Sequence, residues 1–351
     1  MSTPDAPVVL ATRGSALALA QANQVLALCR ERFPQRKFEI RIVKTTGDKM
    51  QTASLAAPEA LPKGLFTKEL EIALVNGEAD LAVHSLKDLP TDLPPELCLG
   101  AVCKRADVRD VLVYRDAQSV AEEREKNAPR DWTPGEPLKR GFKPGLTVAS
   151  LPPDAVIATS STRRQAQLQA LRPDLAFMPI RGNVNTRLRK LAEQSAMDAT
   201  LLAAAGLLRL RYRLFPDGRL LAPLQADPEV LKAHPPGLRA VFLEPEEMLP
   251  CVGQAAVGLE IRRDDTRLTE ICAGLNHPNT LSCVTAERTF LQAMGGGCQS
   301  PVAAYAQLLG HQIRLRAVSF RDGPARRTER VGPVRDAVAL GQQAAKDLGG
   351  G

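Results

Sequence analysis

Short apolar runs and stretches of helical spacing alternate along most of the chain. Val8-Val9-Leu10-Ala11-Thr12 reads as a buried strand, Arg13-Gly14 as a turn and Ser15 as an N-cap. Ala16 to Phe33 carries Leu17, Ala20, Val25, Leu28 and Cys29 at the spacing of one helical face. Phe38 to Thr45 predicts a second strand, Phe66 to Asn76 a second helix, and Leu81-Ala82-Val83 a third strand. The rhythm returns with strands at Val156–Thr159, Ala176–Ile180 and Ala199–Ala204, separated by helices at Thr162–Leu171 and Asn185–Gln194. This βαβ order predicts α/β architecture with doubly wound sheets. Two stretches break it, Asp116–Pro153 and Phe215–Pro250, where Pro, Gly and charged residues predict irregular segments, the first an exposed insertion or long loop, poorly ordered in part. From Asn276 a small α+β unit is expected: a helix at Leu281–Met294, strands at Val302–Leu308 and Ile313–Ser319, and a helix at Arg335–Leu348.

Composition narrows the classes of function. The 351 residues allow two or three domains, and 44% hydrophobic with 24% charged content is globular. A net charge of +7 favours an anionic partner. Only 4% of residues are aromatic and the single Trp132 lies in a polar stretch, so stacking platforms for single-stranded nucleic acid are scarce. The seven cysteines are odd in number and lack a Cys-x-x-Cys pair, which opposes a disulfide framework or a zinc ribbon. The four histidines have no ligand spacing. No apolar run approaches the ~18 residues of a membrane span, and no signal-type core follows a basic N-terminus. These features predict a cytoplasmic protein without metal, membrane or nucleic-acid partner.

The candidate chemistry lies at strand ends and in one glycine loop. Arg13, the pair Arg163 and Arg164, and Arg181 each follow a predicted strand, with Arg187 a helical turn further on. Ligands of open α/β sheets bind beyond the carboxyl ends of strands, where helix N-termini favour anions. Guanidinium forks there suit carboxylates, and no phosphate-binding loop is present. His84-Ser85-Leu86-Lys87-Asp88-Leu89-Pro90 follows another strand. Asp88 there is read two ways: a carboxylate that steadies a cation or moves a proton, or a turn residue before Pro90. Lys63-Gly64-Leu65-Phe66-Thr67-Lys68 is read as a flap over an anion or as a surface loop. Cys298 stands in Gly295-Gly296-Gly297-Cys298-Gln299-Ser300-Pro301, a composition that displays the thiol on a loop.

Taken in order, these segments resemble the hydroxymethylbilane synthase (porphobilinogen deaminase) family. The resemblance rests on Ala11-Thr12-Arg13-Gly14-Ser15-Ala16-Leu17-Ala18, Lys63-Gly64-Leu65-Phe66, Ala79 to Asp88, Thr159 to Gln165, Arg181 to Arg187, Leu249 to Gln254 and Gly296 to Gln299. It implies stepwise condensation of four porphobilinogen molecules, with loss of ammonia, and hydrolytic release of hydroxymethylbilane. It implies a dipyrromethane cofactor held by a thioether to Cys298. Asp88 would contact pyrrole nitrogens, move protons and stabilise the cation left by ammonia. Arg13, Arg163, Arg164, Arg181, Arg187 and Arg209 would bind acetate and propionate groups. Ser15, Lys63, Ser85, Lys87, Thr159, Ser161, Gly182 and Asn183 would make further contacts. The implied fold is two doubly wound lobes like those of solute-binding proteins, 1–105 with 256–274 and 106–255, plus a C-terminal α+β domain, 277–351. A monomer is expected.

Some positions depart from the family pattern. Asp116–Pro153 and Phe215–Pro250 are longer than expected, and the chain stops at Gly349-Gly350-Gly351, earlier than many relatives. Asn185 and Ala255 stand where glycine is common, and Thr162 replaces a usual leucine. Two alternative functions are weighed: a non-catalytic anion-binding protein on the same scaffold, and a nucleic-acid binder. The first needs neither Cys298 nor an acid in a basic cleft, and the second is opposed by the scarcity of aromatics.

Overall fold

The first strand, β1 (Val8–Arg13), is followed by α1 (Ala16–Arg32), β2 (Phe38–Val43), α2 (Lys68–Val75), β3 (Leu81–Ser85) and β4 (Leu97–Val102). The computed structural model describes residues 6–46, 66–127, 138–223, 236–297 and 300–350. β1 runs parallel to both β2 and β3, as its burial on both faces dictates. α1 lays Ala22, Val25 and Cys29 on this sheet, and α2 lays Leu70 and Leu74 there.

The chain then builds a separate unit, Val108–Leu249. Its elements are β5 (Asp110–Arg115), α3 (Ala117–Asn127), β6 (Val156–Ala158), α4 (Thr162–Leu171), β7 (Ala176–Met178), α5 (Val184–Glu193), β8 (Ala199–Ala203), α6 (Ala204–Arg209), β9 (Arg213–Leu214), β10 (Leu220–Leu221) and β11 (Leu238–Leu243). The sheet order is β11-β5-β8-β6-β7, with β6 parallel to its neighbours and β5 antiparallel to both of its own. Two expectations need correction here. Asp116–Pro153 is not simply an exposed insertion. It contains α3, and Leu146, Val148 and Leu151 are buried with Tyr114, Ile157 and Leu168. Its charges, Glu122 to Lys126, are all exposed and fill more than a full turn near the end of that helix. Phe215–Pro250 is not irregular throughout, because β11 pairs along its whole length with β5 at the sheet edge. Residues 128–137 and 224–235 of these stretches, with Trp132, lie outside the described residues.

The remaining chain joins the first segment in one unit, Met1–Asp107 with Pro250–Gly351. β12 (Val257–Arg262) enters the first sheet to give the order β2-β1-β3-β12-β4, antiparallel to both neighbours. α7 (Thr266–Leu275) covers it with Leu268, Ile271 and Cys272. The C-terminal α+β part follows: α8 (Pro278–Ala293), β13 (Val302–Leu309), β14 (Gln312–Ser319), β15 (Arg326–Pro333) and α9 (Ala337–Asp347). Its antiparallel sheet β13-β14-β15 packs Ala304 and Leu315 against Phe290 of α8 and Ala344 of α9. The protein is thus α/β, with two doubly wound sheets and a small α+β addition. Among the described residues no helix is long and apolar enough to cross a membrane.

Candidate functional site

In the first unit the strand ends converge on a pocket. Arg13 closes β1 and lies over the Phe66 ring, 4.2 Å from its centroid, a cation–π contact that aims the guanidinium. Ser15 caps α1, its hydroxyl accepting the Ala18 N–H at 3.3 Å, at a helix start of the kind that favours an anion. Ser85 closes β3 and exchanges hydrogen bonds with Gln21 at 2.9 and 3.1 Å. A single 3-10 turn, Leu86–Asp88, then carries Lys87 and Asp88. It is held by Leu86 N–H donating to Ala256 O at 3.0 Å, and by Gly253, where a Cβ would meet the Leu86 and Lys87 backbone at 3.2 Å. Arg13, Ser15, Gln21, Phe66, Ser85 and Asp88 line the pocket, and His84 and Thr67 form its deeper wall. Asp88 is exposed to solvent at its rim.

His84 was singled out in the sequence only as a polar neighbour of Asp88. It is buried on β3 and bonds through Nε2 to Oε2 of the fully buried Glu260 at 2.9 Å. Glu71 of α2 faces the same pair. Burial pushes its carboxyl up, Glu260 adds to the rise, and a bond to Thr67 and the nearby His84 oppose it. Gln21 and Glu260 carried no signal of their own, since their partners are distant in the chain.

In the second unit two helix starts are built alike and a third differs. Ser161 caps α4 by accepting the Arg164 N–H at 3.4 Å, and Thr159 Oγ accepts the Ser161 N–H at 3.2 Å. Asn183 caps α5 by accepting the Thr186 N–H at 2.9 Å. Before it, Gly182 has φ +115° and its carbonyl accepts Arg187 Nε at 2.9 Å. Asn185 accepts the Tyr212 hydroxyl at 2.9 Å. Arg181 is exposed, and Arg187 and Arg209 are half-buried. The third start, α6, bears Arg209 in its last turn and has no side-chain cap.

Arg163 and Arg164 are not the open forks that their strand-end position suggests. Both are buried, and both reach Asp110 at 2.8 Å, while their other nitrogens donate to Leu249 O and Leu201 O at 2.8 Å. Burial alone would push the Asp110 carboxyl up, but the two guanidinium groups outweigh it and hold it well below the usual carboxylate range. The pair anchors the start of α4 to β5.

Cys298 and Lys63 lie outside the described residues. The helix leading to Cys298 is described. α8 ends at Met294 and Gly295, with Gly295 at φ +62°, and Gly297 O accepts the Ser300 N–H at 3.0 Å. The buried thiols differ from a loop thiol in chemistry. Burial pushes Cys29 and Cys272 up to about 12 and Cys283 to about 11, so they stay protonated and inert.

The donor set suits a polycarboxylate: a guanidinium over an aromatic ring, capped helix starts, and hydroxyls at strand ends. Among the described residues no group of His, Cys, Asp and Glu is arranged to hold a metal.

Two family descriptions match consecutive parts of the chain. "Porphobilinogen deaminase, dipyromethane cofactor binding domain" matches residues 8–270, and "Porphobilinogen deaminase, C-terminal domain" matches residues 281–350. A porphobilinogen deaminase of Alkaliphilus metalliredigens is 38% identical over 343 residues, covering 97% of this chain and 92% of the relative. One of Paracoccus denitrificans is 38% identical over 354 residues, covering 100% and 96%. Among solved structures, the periplasmic aliphatic sulphonate binding protein SsuA of Escherichia coli is similar over 98% of this chain and 86% of its own, at 14% identity and a TM-score of 0.39.

Proposed function

The chain belongs to the porphobilinogen deaminase family, and from that premise we propose how its residues divide the work of hydroxymethylbilane synthesis. The enzyme is a transferase of tetrapyrrole (porphyrin and heme) biosynthesis, and porphobilinogen is its substrate. It joins four porphobilinogen molecules head to tail, with loss of ammonia, and releases hydroxymethylbilane by hydrolysis. A dipyrromethane group, bound to the protein, supplies the nucleophilic pyrrole end on which the chain grows.

The observation that carries the residue assignment is the convergence of Arg13, Ser15, Ser85 and Asp88 on one pocket at the ends of β1 and β3. Arg13 and the α1 start receive carboxylates, Ser15 and Ser85 donate from their hydroxyls, and Lys87 adds a cation beside them. Asp88 lies where a carboxylate meets pyrrole N–H groups and the positive charge left when ammonia departs. In the second unit Thr159, Ser161, Gly182, Asn183, Arg181, Arg187 and Arg209 offer the same kinds of donor. Arg163 and Arg164 serve there mainly by fixing the α4 start, whose backbone N–H groups meet the ligand. Lys63 supplies a further cation. We assign the attachment to Cys298, the cysteine that the family resemblance implies, and the buried, protonated thiols of Cys29, Cys272 and Cys283 do not compete with it. The lobes are placed at 1–105 with 256–274 and 106–255, and the cysteine-bearing domain at 277–351. We place the enzyme in the cytoplasm as a monomer.

Intact-protein mass spectrometry tests the attachment. Protein purified from cells should exceed its sequence mass by a dipyrromethane, and Cys298→Ser should lose that increment. A wild-type protein with no increment that also fails to consume porphobilinogen would overturn the reading, and an increment retained by the serine variant would move the attachment elsewhere.

A further inference from the structure

Beyond the helix starts, the second unit holds further arginines on one hairpin. α6 ends in a Schellman turn: the Tyr212 N–H donates to Leu207 O at 3.0 Å and the Arg211 N–H to Leu208 O at 2.9 Å. That geometry puts Arg211 in the left-handed region, φ +61°, where glycine is the residue without strain. The chain places an exposed arginine there instead. A strained position that keeps a charged side chain points to a use for that side chain.

β9 and β10 follow, joined by a turn in which Phe215 O accepts the Gly218 N–H at 2.8 Å. Arg213 and Phe215 are two positions apart in extended chain and share a face. Arg219 stands opposite, its carbonyl accepting the Phe215 N–H at 3.0 Å. One ring thus carries two guanidinium groups, that of Arg213 at 5.6 Å and that of Arg219 at 5.1 Å from its centroid. The platform is anchored to the sheet. Gly218 O accepts the Ala240 N–H of β11 at 2.7 Å, Asp217 O accepts from Arg239 at 2.9 Å, and Tyr212 and Leu220 are buried in the core of the unit.

The charges of the hairpin are not balanced within it. Asp217 takes Arg219, Oδ2 accepting from Nε at 2.6 Å. Arg213 Nε is buried and has no hydrogen-bond partner among the described residues. A buried N–H without an acceptor is costly, and an anionic ligand supplies the acceptor. The hairpin also borders the candidate site. Tyr212, between Arg211 and Arg213, donates its hydroxyl to Asn185 Oδ1 at 2.9 Å, and Asn185 lies in the first turn of α5, two residues after the Asn183 cap.

Resting on the assignment of this unit to the reaction, we propose that Arg211, Arg213 and Arg219 form a further carboxylate site beside the α5 start, which takes the acetate and propionate groups of one pyrrole unit. Two carboxylates on neighbouring ring carbons match guanidinium forks that share one aromatic ring. Free porphobilinogen and every unit of the growing chain bear the same pair, so the site serves either entry or elongation.

The test compares the cofactor-loaded wild type with Arg213→Gln, Arg213→Lys and the double variant Arg211→Gly/Arg213→Gln. Arg335→Gln, at a position 86% exposed, controls for loss of a surface charge. Arg211→Gly relieves the left-handed arginine and should raise the melting temperature, so a kinetic loss in the double variant is not a loss of fold. Rates are read against porphobilinogen and salt concentration, and intermediates are read by intact mass at limiting substrate. A site that serves entry gives a double variant with KM raised on the order of 10-fold, kcat unchanged and a flatter dependence on salt. A site that serves elongation leaves KM, lowers kcat on the order of 10-fold and lets partly elongated species accumulate. Both outcomes support the proposal, and Arg213→Lys should recover part of either loss because a point charge remains. KM, kcat and intermediate masses in the double variant that match wild type and Arg335→Gln would overturn it. The enzyme assignment is judged separately, by the mass increment and porphobilinogen consumption of the wild type in the same experiment.

Discussion

Glu287 grips Arg105 with both carboxylate oxygens, at 2.6 and 3.0 Å, and the same oxygens accept the N–H groups of Ala306 and Gly253 at 2.8 Å. Arg105 Nε also donates to Gln254 O at 2.8 Å. One fully buried carboxylate on α8 therefore ties together the chain after β4, the strand β13 and the Gly253 turn. That turn is the one packed against Leu86 and Lys87. Glu287→Ala leaves a buried guanidinium unpaired and two N–H groups unsatisfied, and should cost about 3–5 kcal/mol. Urea unfolding of the loaded protein checks this. Glu287→Gln should lose less, because it keeps one acceptor. A midpoint unchanged by the alanine would show that the clamp carries no stability.

Asp110 makes stability sensitive to acid. Its folded-state pKa is depressed by Arg163 and Arg164, which outweigh burial. The folded state therefore binds this proton less readily than the unfolded chain does. The stabilisation is fully present above the ordinary carboxylate pKa and is lost as pH falls below it toward the folded value. Asp110→Asn should lower stability at neutral pH and flatten its loss in acid. Melting temperatures across the acid range would test this, and parallel curves for variant and wild type would remove Asp110 from the account.

The sequence showed the fold where both faces of an element have one character. β1 and β3 open on continuous apolar runs, Val8–Ala11 and Leu81–Val83, and Ser15, Ser161 and Asn183 mark helix starts after strands. It hid elements that carry charge into the interior. β5 begins at buried Asp110 and ends at buried Arg115, β12 holds Glu260 at its centre, and β15 is an edge strand of mostly exposed residues. α3 read as a loop because one turn of it is almost wholly charged. The site was legible to the same degree. Arg13, Ser15 and Asp88 follow from strand ends and helix caps, which are local. The counter-ions do not, since His84 and Glu260 are 176 positions apart and meet only through the β3–β12 register. Arg163 and Arg164 looked like ligand forks because nothing nearby in sequence announces Asp110.

Ala255 occupies a backbone conformation that suits glycine. Its φ is +68° and it is buried, two residues after Gly253 at φ +70°. A left-handed conformation costs a residue with a Cβ roughly 1–2 kcal/mol, and glycine gives back part of that through its freer unfolded state. Ala255→Gly should therefore stabilise the protein by about 0.5–1 kcal/mol, a rise of about 1–3 °C in melting temperature. A fall would mean that packing of the buried methyl group outweighs the relief of backbone strain.

Asp88 separates stability from chemistry. It is exposed at the end of a 3-10 turn whose geometry is set by Leu86 N–H on Ala256 O and by the close approach of Gly253. No buried partner depends on its side chain in the hydrogen bonds of that turn. Asp88→Ala should then alter stability by no more than about 0.5 kcal/mol, as for an ordinary surface substitution. The same change removes the carboxylate proposed to face the cation, and turnover should fall on the order of 100- to 1,000-fold. The mass increment should persist, because attachment at Cys298 needs the thiol and the carboxylate-binding donors more than it needs repeated turnover. Asp88→Asn should resemble the alanine variant, since an amide retains the shape but not the charge. Turnover close to wild type in either variant would return Asp88 to the role of a turn residue before Pro90. A large loss of stability with it would instead place the aspartate in the framework of the turn.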